Sequence, residues 1–275
     1  MEAKQKATTV LIHVILILIS ITMLVPFLWM MLTAFKTLSE STSVNPFVIF
    51  PSEWITDNFS KVIKNMDFPM LYLNTILLIV GRVVAAVLTA TLAGYAFARL
   101  NFRGKNFMFS LVLFQMMVPG QIFIIPQYQM IAKLGATNTL FALVFPGIVS
   151  AFGTFFLRQA YMGIPDEVGE AAYLDGCSRW QTFYKVMFPL TRSSVAALTV
   201  FTAVFAYTDL MWPLIVNTDI NATTLSAGLS SLNGQFSTNY PVLMAGSLLA
   251  MLPMVVLYLI FQRQFIEGVA MTGGK

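Results

Sequence analysis

Six apolar stretches separated by polar segments set the pattern of this chain: approximately Val10 to Phe35, Leu71 to Phe97, Phe107 to Ile131, Thr139 to Leu157, Val195 to Val216 and Val242 to Phe261. A hydrocarbon core about 30 Å thick takes roughly 20 helical residues to cross, and each stretch is that long or nearly so. Lipid offers no partner to a free N–H or C=O, so each is expected to be helical. The pattern predicts an all-α membrane protein, one domain over residues 1–275 with six transmembrane helices. Pro119, Gly120 and Pro126 fall in the third stretch and predict a kink or break there, with an early end.

The first stretch follows Lys4 and Lys6, as a signal peptide would, but it is far longer than a signal h-region and lacks an Ala-x-Ala cleavage site. It reads as a retained signal anchor. Orientation follows from the basic residues between the runs. With the N-terminus inside, the inner segments hold Lys4, Lys6, Arg99, Arg103, Lys105, Arg158, Arg179, Lys185, Arg192, Arg263 and Lys275. The outer ones hold Lys36, Lys61, Lys64 and Lys133, and Arg82 lies within the second run. Eleven against four predicts both termini in the cytoplasm.

Two long excursions interrupt the pattern. The outer one, Lys36 to Met70, carries Trp54, Phe59, Val62, Ile63 and Met66 at roughly helical spacing, which suits an amphipathic helix lying at the interface. The inner one, 158–194, reads as two short helices. Ile164, Val168, Ala171 and Ala172 share a face of the first, with Asp166, Glu167 and Glu170 toward its positive N-terminal half. Asp175-Gly176 supplies a left-handed stop. Ser178 with Gln181 forms a capping box for the second helix, whose Trp180, Phe183, Tyr184 and Met187 fall at i, i+3, i+4 and i+7 and which Pro189 ends. Physics leaves two readings of this hairpin open: a docking element whose alanines let a partner approach closely, or an amphipathic hairpin resting on lipid headgroups through Arg179, Lys185 and Arg192. In the second run, Ala86, Ala90 and Gly94 at four-residue spacing predict close packing by another helix.

Composition narrows the function. The chain is 57% hydrophobic and only 10% charged, with a mean hydropathy of +0.77, so a soluble domain is excluded. The net charge of +4 is accounted for by topology, and nucleic-acid binding has no support. One histidine, one cysteine and no cluster of acids on a cytoplasmic or external face leave little from which to build a metal site or a nucleophile pair. Cys177 has no intrachain disulfide partner. No G-x-x-x-x-G-K-[ST] phosphate loop occurs, so energy for transport comes from another polypeptide or from an ion gradient. Polar residues inside the runs are costly and mark candidate function. Asn74, Gln115, Gln121, Gln127 and Tyr128 are candidates to line a substrate path. Arg82 calls for an inward ion pair, Asp209 reads as an interfacial residue or cap, and His13 as structural. The competing reading is an ion-coupled secondary transporter with Asp209 and Arg82 as charge relays.

The 158–194 segment resembles the EAA loop of membrane-spanning subunits of binding-protein-dependent ABC importers: Glu-Ala-Ala, three residues, Gly, nine residues, Ile, one residue, Leu-Pro. Glu170, Ala171, Ala172, Gly176 and Pro189 match at that spacing, with apolar Val186 and Phe188 in place of Ile and Leu. "AGYAFARLNFRGKN", "MVPGQIFIIPQY", "FFLRQAYMGIPDEVGEAAYLDG", "DLMWPLIV" and "LPMVVLYLIFQRQFIEGVAMTGGK" resemble the second permease subunit of the maltose-type carbohydrate branch.

The resemblance implies an ABC-importer permease in the inner membrane that moves sugars, with an oligosaccharide expected. It implies that Glu170 to Gly176, including Leu174 and Asp175, is a cytoplasmic coupling helix seated in a separate ATPase. There Glu170 would cap and orient the helix, Ala171 and Ala172 would give it a slim face, and Gly176 would set the bend. The implied partners are a homologous second permease, two copies of a P-loop ATPase and an extracytoplasmic sugar-binding protein. ATP and Mg would bind the ATPase, with no cofactor or metal on this chain and no catalysis by it. The 217–241 segment reads by itself as a solvated connector. The resemblance implies instead that it reaches into the binding protein through Ser230, Ser231, Leu232, Asn233, Gly234 and Gln235.

Overall fold

In the computed structural model, residues 2–233 and 238–273 are described, and no strand occurs among them. The first helix, α1 (Glu2–Ala34), is followed by the short α2 (Leu38–Thr42), α3 (Asp57–Asn65) and the long α4 (Phe68–Arg99). Next come α5 (Lys105–Met117), a 3-10 turn at Gly120–Phe123, α6 (Ile124–Lys133) and α7 (Leu140–Val144), then a 3-10 turn at Phe145–Gly147 and α8 (Ala151–Met162). The hairpin consists of α9 (Asp166–Leu174), α10 (Arg179–Gln181), a π-helical turn at Thr182–Met187 and α11 (Phe188–Leu190). The chain continues through α12 (Arg192–Thr208), α13 (Met211–Val216), a 3-10 turn at Ile220–Ala222, α14 (Leu225–Ser230) and α15 (Tyr240–Gly273).

Among the described residues, three helices are long and apolar enough to cross a membrane: Thr8–Ala34, Phe68–Arg99 and Tyr240–Gln262. Three bent pairs bring the number to six if each pair counts as one span. The third expected run is broken, as its prolines predict: α5 and the Gly120–Lys133 segment meet at 100°, with Pro119 in the break. The fourth bends by 47° before α8. The fifth expected run, 195–216, is not continuous; α12 stops at Thr208 and α13 starts at Met211. Asp209 stands in that gap because its carboxylate accepts from the Trp212 N–H (3.4 Å), starting a new helix rather than extending the old one.

By packing, the chain divides into two units, Met1–Phe68 with Gly228–Pro253, and Pro69–Ala227 with Met254–Lys275. In the first, every side chain from Thr8 to Trp29 is exposed on an apolar helix, as expected of one that faces lipid. Beyond α1 the chain is tied down by Lys36. Its ammonium donates to Val48 O (2.6 Å) and lies 4.2 Å from the Trp29 ring centroid. Lys36 is fully buried, and that burial pushes its pKa down. Asn58 Nδ2 donates to Ala34 O and Lys36 O, both at 2.9 Å. The amphipathic reading of this excursion holds in part: Val62 and Met66 are buried, while Trp54 and Ile63 remain exposed.

Among the described residues, two apolar cores form in the second unit. One gathers Leu78, Ile131, Leu143, Ala206, Trp212 and Val216. The other gathers Ala90, Tyr95, Leu157, Tyr161, Phe183, Met187 and Leu198. The Ala86, Ala90, Gly94 stripe serves as its spacing predicts. A Cβ on Gly94 would stand 2.9 Å from Arg158 N and 3.0 Å from Leu157 Cβ, so α4 and α8 approach where that side chain is absent. The 217–241 segment departs from a solvated connector over its first half. Thr223, Thr224, Leu225 and Ala227 are buried, and Leu225 N–H donates to Thr75 Oγ1 (2.9 Å).

Candidate functional site

The 158–194 hairpin is built by local rules. Asp166 and Glu167 occupy the first turn of α9, where the helix dipole favours acids. Gly176, at φ +82°, ends it in the left-handed region, and Cys177 N–H reaches back to Ala172 O (2.9 Å). Ser178 and Gln181 then close a reciprocal capping box. The second arm departs from expectation. Its π turn winds each residue through a smaller angle than an α-helix does, so the four aromatic and Met residues do not share one face. Phe183 and Met187 are buried in the core, whereas Trp180 and Tyr184 are 61% and 44% exposed. The arm also runs one residue past Pro189, to Leu190, before a 74° bend into α12.

The expected coupling residues separate by burial. Ala172 is turned inward and 6% exposed, so of the two alanines only Ala171 presents its methyl group outward. Glu170 is the fifth of the nine residues of α9, not its cap, and its exposed carboxylate has no partner among the described residues. Leu174, Asp175 and Gly176 form an exposed tip, with Leu174 89% exposed. Sequence reasoning missed the anchor of this hairpin. Arg99, the last residue of α4, donates to Tyr161 O through Nε (3.1 Å) and Nη2 (2.6 Å), and also reaches Ile164 O and the Asp166 carboxylate. A basic residue in the last turn of a long helix was the available signal, and its partners lie more than sixty residues away.

A cavity of about 520 Å³ in the second unit brings Gln115, Gln121 and Gln127 together with Asp209 and Trp212. The three carboxamides have no hydrogen-bond partner among the described residues, while Trp212 Nε1–H donates to Ala142 O (2.8 Å). The other two expected path residues lie elsewhere. Asn74 is a structural staple, its Nδ2 donating to Asn221 O (2.8 Å) and Thr223 O (3.0 Å), and Tyr128 does not line the cavity. Arg82 and Asp209 form the inward ion pair, at 2.7 Å. Arg82 also donates to Leu143 O through Nε (3.1 Å) and Nη2 (2.8 Å), so its charge is held in place by backbone as well as by carboxylate. His13 bonds to Thr9 O within its own helix (2.7 Å). Ser231 Oγ donates to Gly228 O (2.6 Å), and Leu232 and Asn233 continue the turn after α14. Gly234 and Gln235 lie outside the described residues. No group of three or more His, Cys, Asp or Glu side chains able to hold a metal occurs among the described residues.

Residues 82–270 match the family model described as binding-protein-dependent transport system inner membrane component. This chain belongs to that family. The permease is 34% identical over 252 residues to the arabinooligosaccharides transport system permease protein AraQ of Halalkalibacterium halodurans, a match covering 91% of this chain and 90% of the relative. It is 31% identical over 243 residues to the lactose transport system permease protein LacG of Rhizobium radiobacter, covering 88% of each. The fold matches a chain in the crystal structure of a bacterial ABC transporter that imports the acidic polysaccharide alginate, with TM-score 0.80, 20% identity, and coverage of 94% of this chain and 97% of that one. The relatives are transport subunits and not enzymes, and the permease is a multi-pass inner membrane protein.

Proposed function

We propose that this permease is one membrane half of an ATP-driven importer that takes sugars, with an oligosaccharide as the expected cargo, from an extracytoplasmic binding protein. The observation that carries the coupling is the hairpin tip. Leu174 is 89% exposed at the end of a helix whose other face is packed, so the tip has the form of a docking element. Covering such a side chain is worth roughly 1.5–3 kcal/mol. The unpaired Glu170 carboxylate adds a charge for the same partner. Both termini and the hairpin lie in the cytoplasm, where the hairpin sits on one of two P-loop ATPase copies. A homologous second permease takes the other copy, and ATP with Mg binds the ATPases.

In this scheme ATP binding draws the ATPases together, the hairpins follow, and the helices above them rock so that the cavity faces outward. Gln115, Gln121 and Gln127 then offer donors and acceptors to sugar hydroxyls, beside the apolar wall that includes Trp212. Relatives that carry arabinooligosaccharides and lactose support the cargo class. The turn at Ser230 to Asn233, with Gly234 and Gln235, contacts the binding protein.

The test is to tag the permease, solubilise gently and identify what co-purifies by mass spectrometry, comparing wild type with Gly176→Val. The expected result is a P-loop ATPase and a second six-helix protein with the wild type, and loss of the ATPase from the variant. Recovery of the permease alone from both would sink the ATPase reading and direct attention to ion-gradient uptake.

A further inference from the structure

We propose that the permease carries a binding site for a phosphate headgroup, occupied by an anionic phospholipid, where the start of α5 meets the end of α8. A cavity of about 520 Å³ there is lined by Asn101, Lys105, Asn106 and Arg158 on its polar side and by Phe107 and Met162 on its apolar side. It holds two cations and no acid.

The cations are fixed but not saturated. Lys105 Nζ donates to Leu100 O (2.8 Å) and lies 3.4 Å from Ala98 O, which holds the ammonium at the rim of the cavity. Arg158 Nε donates to Phe97 O (3.3 Å) while the guanidinium lies 4.0 Å from the Phe109 ring centroid. Both of its terminal amines lack an acceptor among the described residues, as do the carboxamides of Asn101 and Asn106. A guanidinium 4.0 Å from a ring centroid and an ammonium lining the same cavity, together with free amides, form a set of donors suited to phosphate oxygens.

Depth argues for a lipid rather than a soluble anion. The site lies beyond the end of the apolar span Phe68–Arg99 and at the beginning of the first bent pair, so it stands where headgroups lie. Phe107 and Met162 are 70% and 52% exposed on the apolar side, where the upper part of an acyl chain would pack. Basic pockets at the ends of membrane helices hold acidic headgroups by this combination. The site is distinct from both the hairpin tip and the glutamine cavity.

The experiment uses the full chain purified in neutral detergent with whatever subunits accompany it. Native mass spectrometry measures retention of phosphatidylglycerol against phosphatidylcholine, with inorganic phosphate as competitor. Phosphatidylglycerol is expected to be retained at least about tenfold more tightly, and Lys105→Gln with Arg158→Gln to remove that preference, at about fivefold per charge. Equal retention of the two lipids by the wild type overturns the site even if the variant fails to fold, and so does an unchanged preference in a folded variant. Displacement by millimolar inorganic phosphate assigns the donors to a soluble phosphate and overturns the lipid. None of these readouts depends on ATP or sugar, so the proposed import function stands or falls separately.

Discussion

Replacing Gly176 by valine tests the hairpin most directly. The residue sits at φ +82°, and a Cβ there would meet no atom within 4 Å, so the cost is one of backbone conformation and not of collision. A side chain in the left-handed region costs roughly 1–2 kcal/mol, and a β-branched one lies at the upper end. If the backbone relaxes to avoid that strain, the bond from Cys177 N–H to Ala172 O goes, at about 1 kcal/mol. Either route costs about 1–2 kcal/mol, which lowers the population of the native tip roughly 5- to 30-fold. The tip is exposed and the rest of the hairpin is held by the Phe183 and Met187 core, so the amount of folded protein in the membrane should hold. The assay is sugar imported per ATP hydrolysed in proteoliposomes, with Gly176→Asn alongside, because asparagine tolerates the left-handed region. Valine should lose most coupling and asparagine should keep most of it. Normal coupling in the valine variant, or equal loss in both, would refute an argument from φ.

Four further outcomes follow from the packing and the charges. Gly94→Ala, which in an exposed helix would stabilise by about 1 kcal/mol, should here lower the melting temperature in detergent, since its Cβ would stand 2.9 Å from Arg158 N. Arg99→Ala should destabilise the hairpin by about 1–3 kcal/mol, because it leaves part-buried carbonyls of Tyr161 and Ile164 unpaired. Asp166→Asn should cost at most about 1 kcal/mol, since that carboxylate is 84% exposed; hydrogen exchange over residues 158–176 separates the two. Glu40 is held down to about 2 by the backbone N–H of Thr37, then by the side-chain hydroxyl and backbone N–H of Ser52. A depressed carboxylate stabilises above its ordinary value of 4.5 and loses that contribution as pH falls through about 2. Proteolysis of the 37–52 segment should therefore rise across that window in the wild type and be pH-independent there in Glu40→Gln.

The sequence by itself determined those features that depend on neighbours along the chain. Helical membrane runs follow from length and apolarity, the break at Pro119 from a missing N–H, the stop at Gly176 from a missing Cβ, and the Ser178 box from residues three apart. The small stripe on α4 was legible for the same reason, since a gap on one helix face invites a neighbour whatever its identity. Tertiary structure alone decided which polar residues are available. Asn74 and Gln121 look alike in sequence, yet Asn74 is consumed by carbonyls about 150 residues away while Gln121 faces a cavity with no partner among the described residues. Ala171 and Ala172 are adjacent and identical, but only Ala171 points outward. Arg82 called for an inward ion pair and Asp209 for an interfacial or capping role, and only the fold shows that each is the other's partner, at 2.7 Å. Arg99 was legible only as a basic residue ending a long helix, with nothing to say which distant carbonyls it would hold. Local geometry is written in spacing, whereas satisfaction of a buried donor depends on which distant backbone the fold brings within hydrogen-bond reach.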